Sequence, residues 1–241
     1  MSTFLELVQE LHTESGAAGV APTSVTSQTG EAARLVAWIR RADYKLQGKW
    51  INWKFLRTEF LTGNVTTADV ATLASPATLK TWELESFKII YPGETEQYPL
   101  PAVEYENVKN EILDTNSGIP DRVIIMPDNT LQFEPVPNGA YTIIADFYEK
   151  PVKLAANDDV SLIPEEYHDS AILGRALMFY ANYENAPEIR TQGQELYAEG
   201  LSEMENHQLP NQNYSRLRTG GGFEVIGGQF GGDGYDAYGL R

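Results

Sequence analysis

The 241-residue sequence predicts an α+β protein: a discontinuous helical bundle with an inserted antiparallel β module and an extended glycine-rich C-terminal arm. Three observations predict this. Apolar residues recur at helical spacing toward both ends of the chain, they alternate with polar residues from 79 to 150, and beyond Pro210 they stand singly among glycines. The expected divisions are residues 1–76 for the first part of the bundle, 77–150 for the β module, 151–207 for the returning helices and 208–241 for the arm.

The first helix is predicted over residues 3–13. Phe4, Leu5, Val8 and Leu11 recur there at helical spacing, and Thr3 followed by Glu6 makes a capping-box pattern. ESGAAGVAPTSVTSQTG then breaks the period. A second helix is expected over 29–47, with Leu35, Trp38, Ile39, Ala42 and Leu46 on one face and Arg34, Arg40, Arg41 and Lys45 on the other. The aromatic run KWINWKFLRTEFLTG, with Trp50, Trp53, Phe55, Leu56 and Phe60, reads as a further helical turn or two packed on that pair. A base- or sugar-stacking platform is the alternative use of such aromatics, and core packing is the simpler one.

From Leu79 the period becomes alternating. TWELESFKIIY sets Trp82, Leu84 and Ser86 against Glu83, Glu85 and Phe87. RVIIMPDNTLQFEPVPNGAYTIIADFYEK reads as three strands, 123–126, 130–134 and 141–148, turned at Asp128-Asn129 and at Pro137-Asn138-Gly139. A small sandwich or curved sheet of short antiparallel strands is the simplest product. Helix returns in IPEEYHDSAILGRALMFYANYEN, where Pro164 and two glutamates suit a first turn and Ile172, Leu173, Ala176, Leu177, Tyr180 and Tyr183 make the stripe. A last helix after Pro187 aligns Ile189, Gly193, Leu196, Tyr197, Gly200, Leu201 and Met204, and its two glycines would let a neighbouring helix approach closely.

A hydrophobic content of 42% suffices for a sizeable core, while the net charge of -16 argues against a surface that grips nucleic-acid phosphates. No cysteine is present, which excludes disulfides, thiolate nucleophiles and Cys-ligated metals. The start, MSTFLELVQELHTE, has acids among its apolar residues and lacks the basic start and apolar run of a signal peptide. No stretch approaches the roughly 20 apolar residues of a membrane span, so a soluble protein that stays in the cell where it is made is expected.

Catalytic chemistry finds little material. The three histidines, His12, His168 and His207, are scattered. In EEYHD, Glu165 and His168 have the spacing of a di-iron helix, but the second Glu-x-x-His motif is missing and an acidic first turn is the plainer reading. Phosphate-binding glycine loops and G-x-S-x-G are absent, and paired carboxylates have no specific support among 34 acidic residues. Glu165, Glu166, His168 and Asp169 are expected to face solvent. No catalytic, cofactor-binding or metal residue is assigned.

The arm, GGGFEVIGGQFGGDGYDAYGLR after Arg218-Thr219, should not fold alone, since glycine loses the most freedom on ordering and isolated aromatics bury one another poorly. Its apolar residues recur too regularly for a plain linker, so docking on a partner is favoured over self-association or simple disorder. Fully extended, residues 208–241 reach roughly 110 Å at about 3.3 Å per residue. Phe223, Ile226, Phe230, Tyr235 and Tyr238 are the expected pocket-filling groups, with Arg216 and Arg218 as charged anchors at the base.

Five segments in order, FLELVQEL, TGEAARLVAWIRRADYKLQGKWINWKFLR, YPLPAVEYENVKN, LQFEPVPNGAYTIIADFYEKPVKL and IPEEYHDSAILGRALMFYANYENAPE, carry a resemblance. The chain resembles the head-to-tail adaptor (connector) proteins of tailed bacteriophages, particularly those of short-tailed phages. The resemblance implies a non-enzymatic virion protein of the neck, between capsid and tail, assembled in the host cytoplasm. It implies a ring, typically of twelve copies, bound to the portal protein above and a downstream nozzle or tail-tube protein below, through which DNA passes without specific binding. Carboxylates facing such a channel would keep the duplex from sticking. The rival readings are a self-assembling tail-tube or fibre-associated subunit and a carboxylate enzyme.

Overall fold

The computed structural model describes residues 2–61, 70–111 and 116–210. Thr3 starts the first helix, α1 (Phe4–Ser15), as expected: its side-chain oxygen accepts from the Glu6 amide at 3.3 Å, and Glu6 Oε2 accepts from the Thr3 amide at 2.7 Å. That reciprocal pair satisfies two of the donors a helix start leaves open. Gly16 stops the helix at φ 65°, a left-handed conformation that favours glycine. The second helix, α2, spans Gly30–Gln47. After a short α3 (Tyr105–Val108), α4 (Leu173–Glu184) and α5 (Pro187–Gln208) return to the first pair. Phe4, Leu7, Val8 and Leu11 of α1, Leu35, Ile39, Ala42 and Leu46 of α2, Leu173, Ala176 and Leu177 of α4 and Met204 of α5 share one buried cluster.

The contact of α4 with α5 is a backbone contact. A Cβ added to Gly174 would stand 2.7 Å from the Tyr197 nitrogen, one on Gly193 would stand 2.9 Å from the Gly174 carbonyl oxygen, and one on Gly200 would meet Ser170 Oγ at 2.3 Å. The two α5 glycines therefore serve the close approach their spacing predicts. Their partner surface includes an irregular entry to α4, a short 3-10 turn (Glu165–Tyr167) followed by one π turn (His168–Ile172).

Between the helices the chain forms two main sheets. One orders β1 (Arg57–Leu61), β11 (Thr142–Glu149), β4 (Lys88–Ile90) and β5 (Tyr98–Pro99), with β3 (Leu79–Trp82) also paired to β11. The other orders β2 (Thr72–Leu73), β9 (Leu131–Glu134), β8 (Arg122–Ile125) and β6 (Ala102–Glu104). A separate pair joins β7 (Ser117–Gly118) to β10 (Val136–Pro137). Side chains from both main sheets form a second cluster around Trp82, whose ring lies 5.2 Å from Phe60, 5.4 Å from Phe87 and 5.8 Å from Phe147.

Three expectations are corrected here. The strands are not all antiparallel: β6 pairs with β8, and β7 with β10, in parallel. The connection from 105 to 121 is long enough to bring the chain back in the same direction. Residues 57–61 are a strand rather than helix, paired antiparallel to β11 and tied by an Arg57–Asp146 ion pair. Finally, the alternating run over 82–87 is broken by a 3-10 turn (Leu84–Ser86), where the Ser86 hydroxyl accepts from the Asp146 amide at 2.7 Å. That bond supplies the ladder contact missing between β3 and β4.

The connection leaving β11 is pinned to α2 by a buried polar group. Asp43 accepts from Gln47 Nε2 at 2.8 Å and from the Ser161 hydroxyl, while Gln47 Oε1 accepts from the Val152 amide at 2.9 Å. Burial pushes the Asp43 carboxyl up to about 6, against the lowering effect of those two hydrogen bonds. Arg40 also turns inward, donating from Nε to the Leu154 carbonyl at 2.7 Å.

Two outcomes are expected. Gly174→Ala should destabilise the protein by about 1–3 kcal/mol, because the atoms it meets are backbone, whereas Ser202→Ala on the exposed side of α5 should stay within about 0.5 kcal/mol; thermal unfolding of the two compares them. For Asp43, folding takes up a proton between about pH 4 and its folded value near 6. Its contribution is therefore fully present below the unfolded value and lost as the pH rises through the folded one. Relative to wild type, Asp43→Asn should gain about 3 kcal/mol between about pH 4 and about pH 7, read by urea unfolding; a pH-independent difference would contradict this.

Candidate interaction surfaces

The last turn of α5 is held by side chains from the segment that follows α2. Trp50 Nε1 donates to Glu205 Oε1 at 2.9 Å, Lys49 Nζ lies 3.3 Å from the same oxygen, and Lys54 Nζ donates to the His207 carbonyl at 2.7 Å. The lysine contact caps a carbonyl that the helix end leaves open. The Tyr167 hydroxyl and His207 Nδ1 lie 3.2 Å apart, and Leu209 packs on the helical cluster. The chain thus reaches Pro210 from a fixed point.

Around that point lies an apolar and basic surface. Trp50 is 42% and Ile51 55% exposed. Tyr44 and Val152 are exposed nearby, bound into one patch by the Gln47–Val152 hydrogen bonds and by Lys153, whose Nζ lies 5.0 Å from the Tyr44 ring centroid. Lys49, Lys54 and Lys153 make their contacts within this surface, with exposed Lys45 one turn before Lys49 along the chain, in a protein of net charge -16. Exposed aromatics with a polar edge beside clustered cations suit a protein partner with an acidic face. Trp50 does not join Trp53 in the core, where the aromatic run is expected to pack. Only Trp53 is buried, donating from Nε1 to the Leu46 carbonyl at 3.1 Å and stacking on Phe55.

The anchor and pocket-filling residues expected in the arm, Arg216, Arg218, Phe223, Ile226, Phe230, Tyr235 and Tyr238, lie outside the described residues. What is described is the position from which they depart.

The EEYHD segment divides. Glu165, Glu166 and Asp169 are exposed, as expected, but His168 is fully buried, its Nε2 lying 2.8 Å from the Ile163 carbonyl. His168 stands four residues before Ile172 and so continues the buried stripe of Ile172, Ala176 and Tyr180, with Tyr167 buried beside it, while Glu165, Glu166 and Asp169 stay outside. Among the described residues no group of His, Asp or Glu side chains could hold a metal ion, and no helix is long and apolar enough to cross a membrane.

On the β side an open groove of about 430 Å³ is lined by Thr81, Trp82, Glu83, Leu84, Glu104 and Ile125, among others. Trp82 Nε1 donates to the Asn129 carbonyl at 3.0 Å and closes one wall. Glu83 accepts from the Tyr148 hydroxyl at 3.1 Å, and burial together with that carboxylate pushes the phenol up to about 12. Leu84 is exposed at the rim. The groove presents three carboxylates, Glu83, Glu85 and Glu104, beside Trp82, Leu84 and Ile125, a mixed acidic and apolar surface rather than a greasy cleft.

A family model described as SU10 adaptor protein matches residues 2–220. The match takes in every described element, Arg216 and Arg218, and ends before Phe223. No curated protein matches the chain.

Proposed function

The chain belongs to the SU10 adaptor protein family, an adaptor family of tailed phages, and we infer that it forms a ring beneath the portal in the neck of the virion, prolongs the DNA channel and gives the tail its attachment site. The observation that carries this reading is the span of the family match, which runs through both hydrophobic clusters and past the end of α5. The work is structural rather than catalytic. The net charge of -16 suits a channel through which duplex DNA slides without being held.

The parts divide the task as follows. The helical cluster, drawn from residues 1–76 and 151–207, makes the ring and the portal contact, with strands β1 and β2 lent to the sheets of the inserted module. The module, 77–150, turns its groove to the downstream nozzle or tail-tube protein. The arm, 208–241, leaves beside Trp50 and Ile51 and docks on the portal or a neighbouring copy through Arg216, Arg218, Phe223, Ile226, Phe230, Tyr235 and Tyr238. Twelve such arms on one ring would hold by avidity, each binding weakly. Assembly takes place in the host cytoplasm.

Co-sedimentation with purified portal rings tests the portal assignment. The full chain should pellet with the portal, and a chain stopped at Gln208 should fold normally but be retained about tenfold less; failure of the full chain to bind, with spontaneous polymers in its place, would favour a tail-tube subunit instead. The module is tested separately. Leu84→Arg with Glu104→Arg alters the groove rim and should leave portal retention unchanged while blocking tail attachment to filled heads; normal attachment would remove the groove from the account.

A further inference from the structure

Helices α2 and α5 both pack on α4, and each turns its remaining face to solvent. The exposed charged residues of α2 are Arg34, Arg41 and Lys45, spaced seven and then four residues apart. On α5 the exposed carboxylates Glu188, Glu195 and Glu199 have the same spacing. At about 100° per residue each trio lies within about 40° on its helix and runs about 16 Å along it. Both series continue one step, to Lys49 just beyond α2 and to Glu203 within α5. Ala37 shares the α2 stripe, and Gln192 and Ser202 border the one on α5, so neither is interrupted by a charge of the wrong sign.

Lys49 is spent on Glu205, but the other groups are unspent within the chain. Among the described residues none of Arg34, Arg41, Lys45, Glu188, Glu195, Glu199 and Glu203 makes an intrachain ion pair. Arg34 and Arg41 lie over aromatic rings of α4, 4.1 Å from the Tyr183 centroid and 5.0 Å from that of Phe179, which orient a guanidinium and leave its charge uncompensated. Burial raises the Tyr180 phenol, Glu184 and Glu31 add to that, and the same two carboxylates soften the positive field at the Arg34 end. Arg41 and Lys45 are therefore the decisive cations. Arg190 lies on the flank of α5, away from the acidic stripe.

We propose that the outward faces of α2 and α5 are the two halves of one self-association contact, α2 of one copy lying parallel to α5 of the next. The proposal rests on the reading of the chain as a ring-forming adaptor and names the surface that makes the ring. Parallel alignment sets Arg34 against Glu188, Arg41 against Glu195 and Lys45 against Glu199 in a single register. Antiparallel alignment offsets the central pair by three residues, about 4.5 Å. Each copy carries one stripe of each sign on different helices, so the contact is heterologous and propagates from copy to copy, as a closed ring requires. Duplex DNA is the other polyanion the α2 stripe could meet, but it offers no match to the 7-and-4 spacing and is repelled by the charge of the chain as a whole.

The test uses two full-length variants, Arg41→Glu with Lys45→Glu and Glu195→Lys with Glu199→Lys, in low salt. Sedimentation velocity is measured on each free in solution and on portal rings. Each variant alone should associate with itself at least about tenfold more weakly than wild type. An equimolar mixture should recover wild-type association, because the acidic α2 of one then faces the basic α5 of the other; recovery also shows that both variants are folded. Wild-type association should weaken as salt rises. Undiminished association by either variant, a mixture no better than its components, or a wild type that stays monomeric both free and on the portal would overturn the contact. So would a variant at Arg41 and Lys45 whose sole defect is lost retention of duplex DNA. Intact self-association by a wild type that ignores the portal would sink the adaptor reading and leave this contact standing.

Discussion

Side-chain alternation along Thr142–Glu149 is the constraint on which the rest of the structure depends. Ile143, Ala145 and Phe147 enter the cluster around Trp82, while Tyr148, one residue on, enters the cluster of the helices. Successive side chains of a strand point to opposite faces, so one backbone serves both interiors. The same strand holds β1 on one edge and β3 and β4 on the other. Slipping its register by one residue would exchange the two sets of side chains and put Asp146 where Phe147 belongs.

The remaining ties between the helices are made by small or polar groups. Gly174, Gly193 and Gly200 bring two backbones together without interposed side chains, which trades apolar burial for dispersion contact along the seam. Asp43 does the opposite kind of work: it gives up solvation to bind Ser161 and a Gln47 that is itself tied to Val152. A buried carboxylate is a poor source of stability. Its value lies in fixing how the returning chain passes α2 before the second pair of helices begins.

Much of this was legible in the residues, and the failures have physical causes. Thr3 and Glu6, Pro187 and the paired glycines of α5 act within a turn or two of themselves, so their effects follow from spacing. Phe55, Leu56 and Phe60 also have helical spacing, but the unpaired edge of β11 captures residues 57–61 as a strand. The parallel pairing of β6 with β8 depends on partners far apart in sequence, which alternation cannot identify. His168 continues the stripe of Ile172, Ala176 and Tyr180 at a spacing of four, and the acidic residues around it in EEYHD mask that position. The charges of α2 were legible, and their match with α5 required knowing that both helices lean on α4 from their other sides.

The glycine seam also decides how the molecule bears tension. Any pull transmitted through Pro210 enters α5 at its carboxyl end, where Lys54 grips the His207 carbonyl and Trp50 grips Glu205. The load then runs lengthwise into a helix held at Gly200 and Gly193. Lengthwise sliding must break those contacts together, whereas peeling would break them one at a time. The arm is thus rooted in the part of the fold best arranged to resist being drawn out.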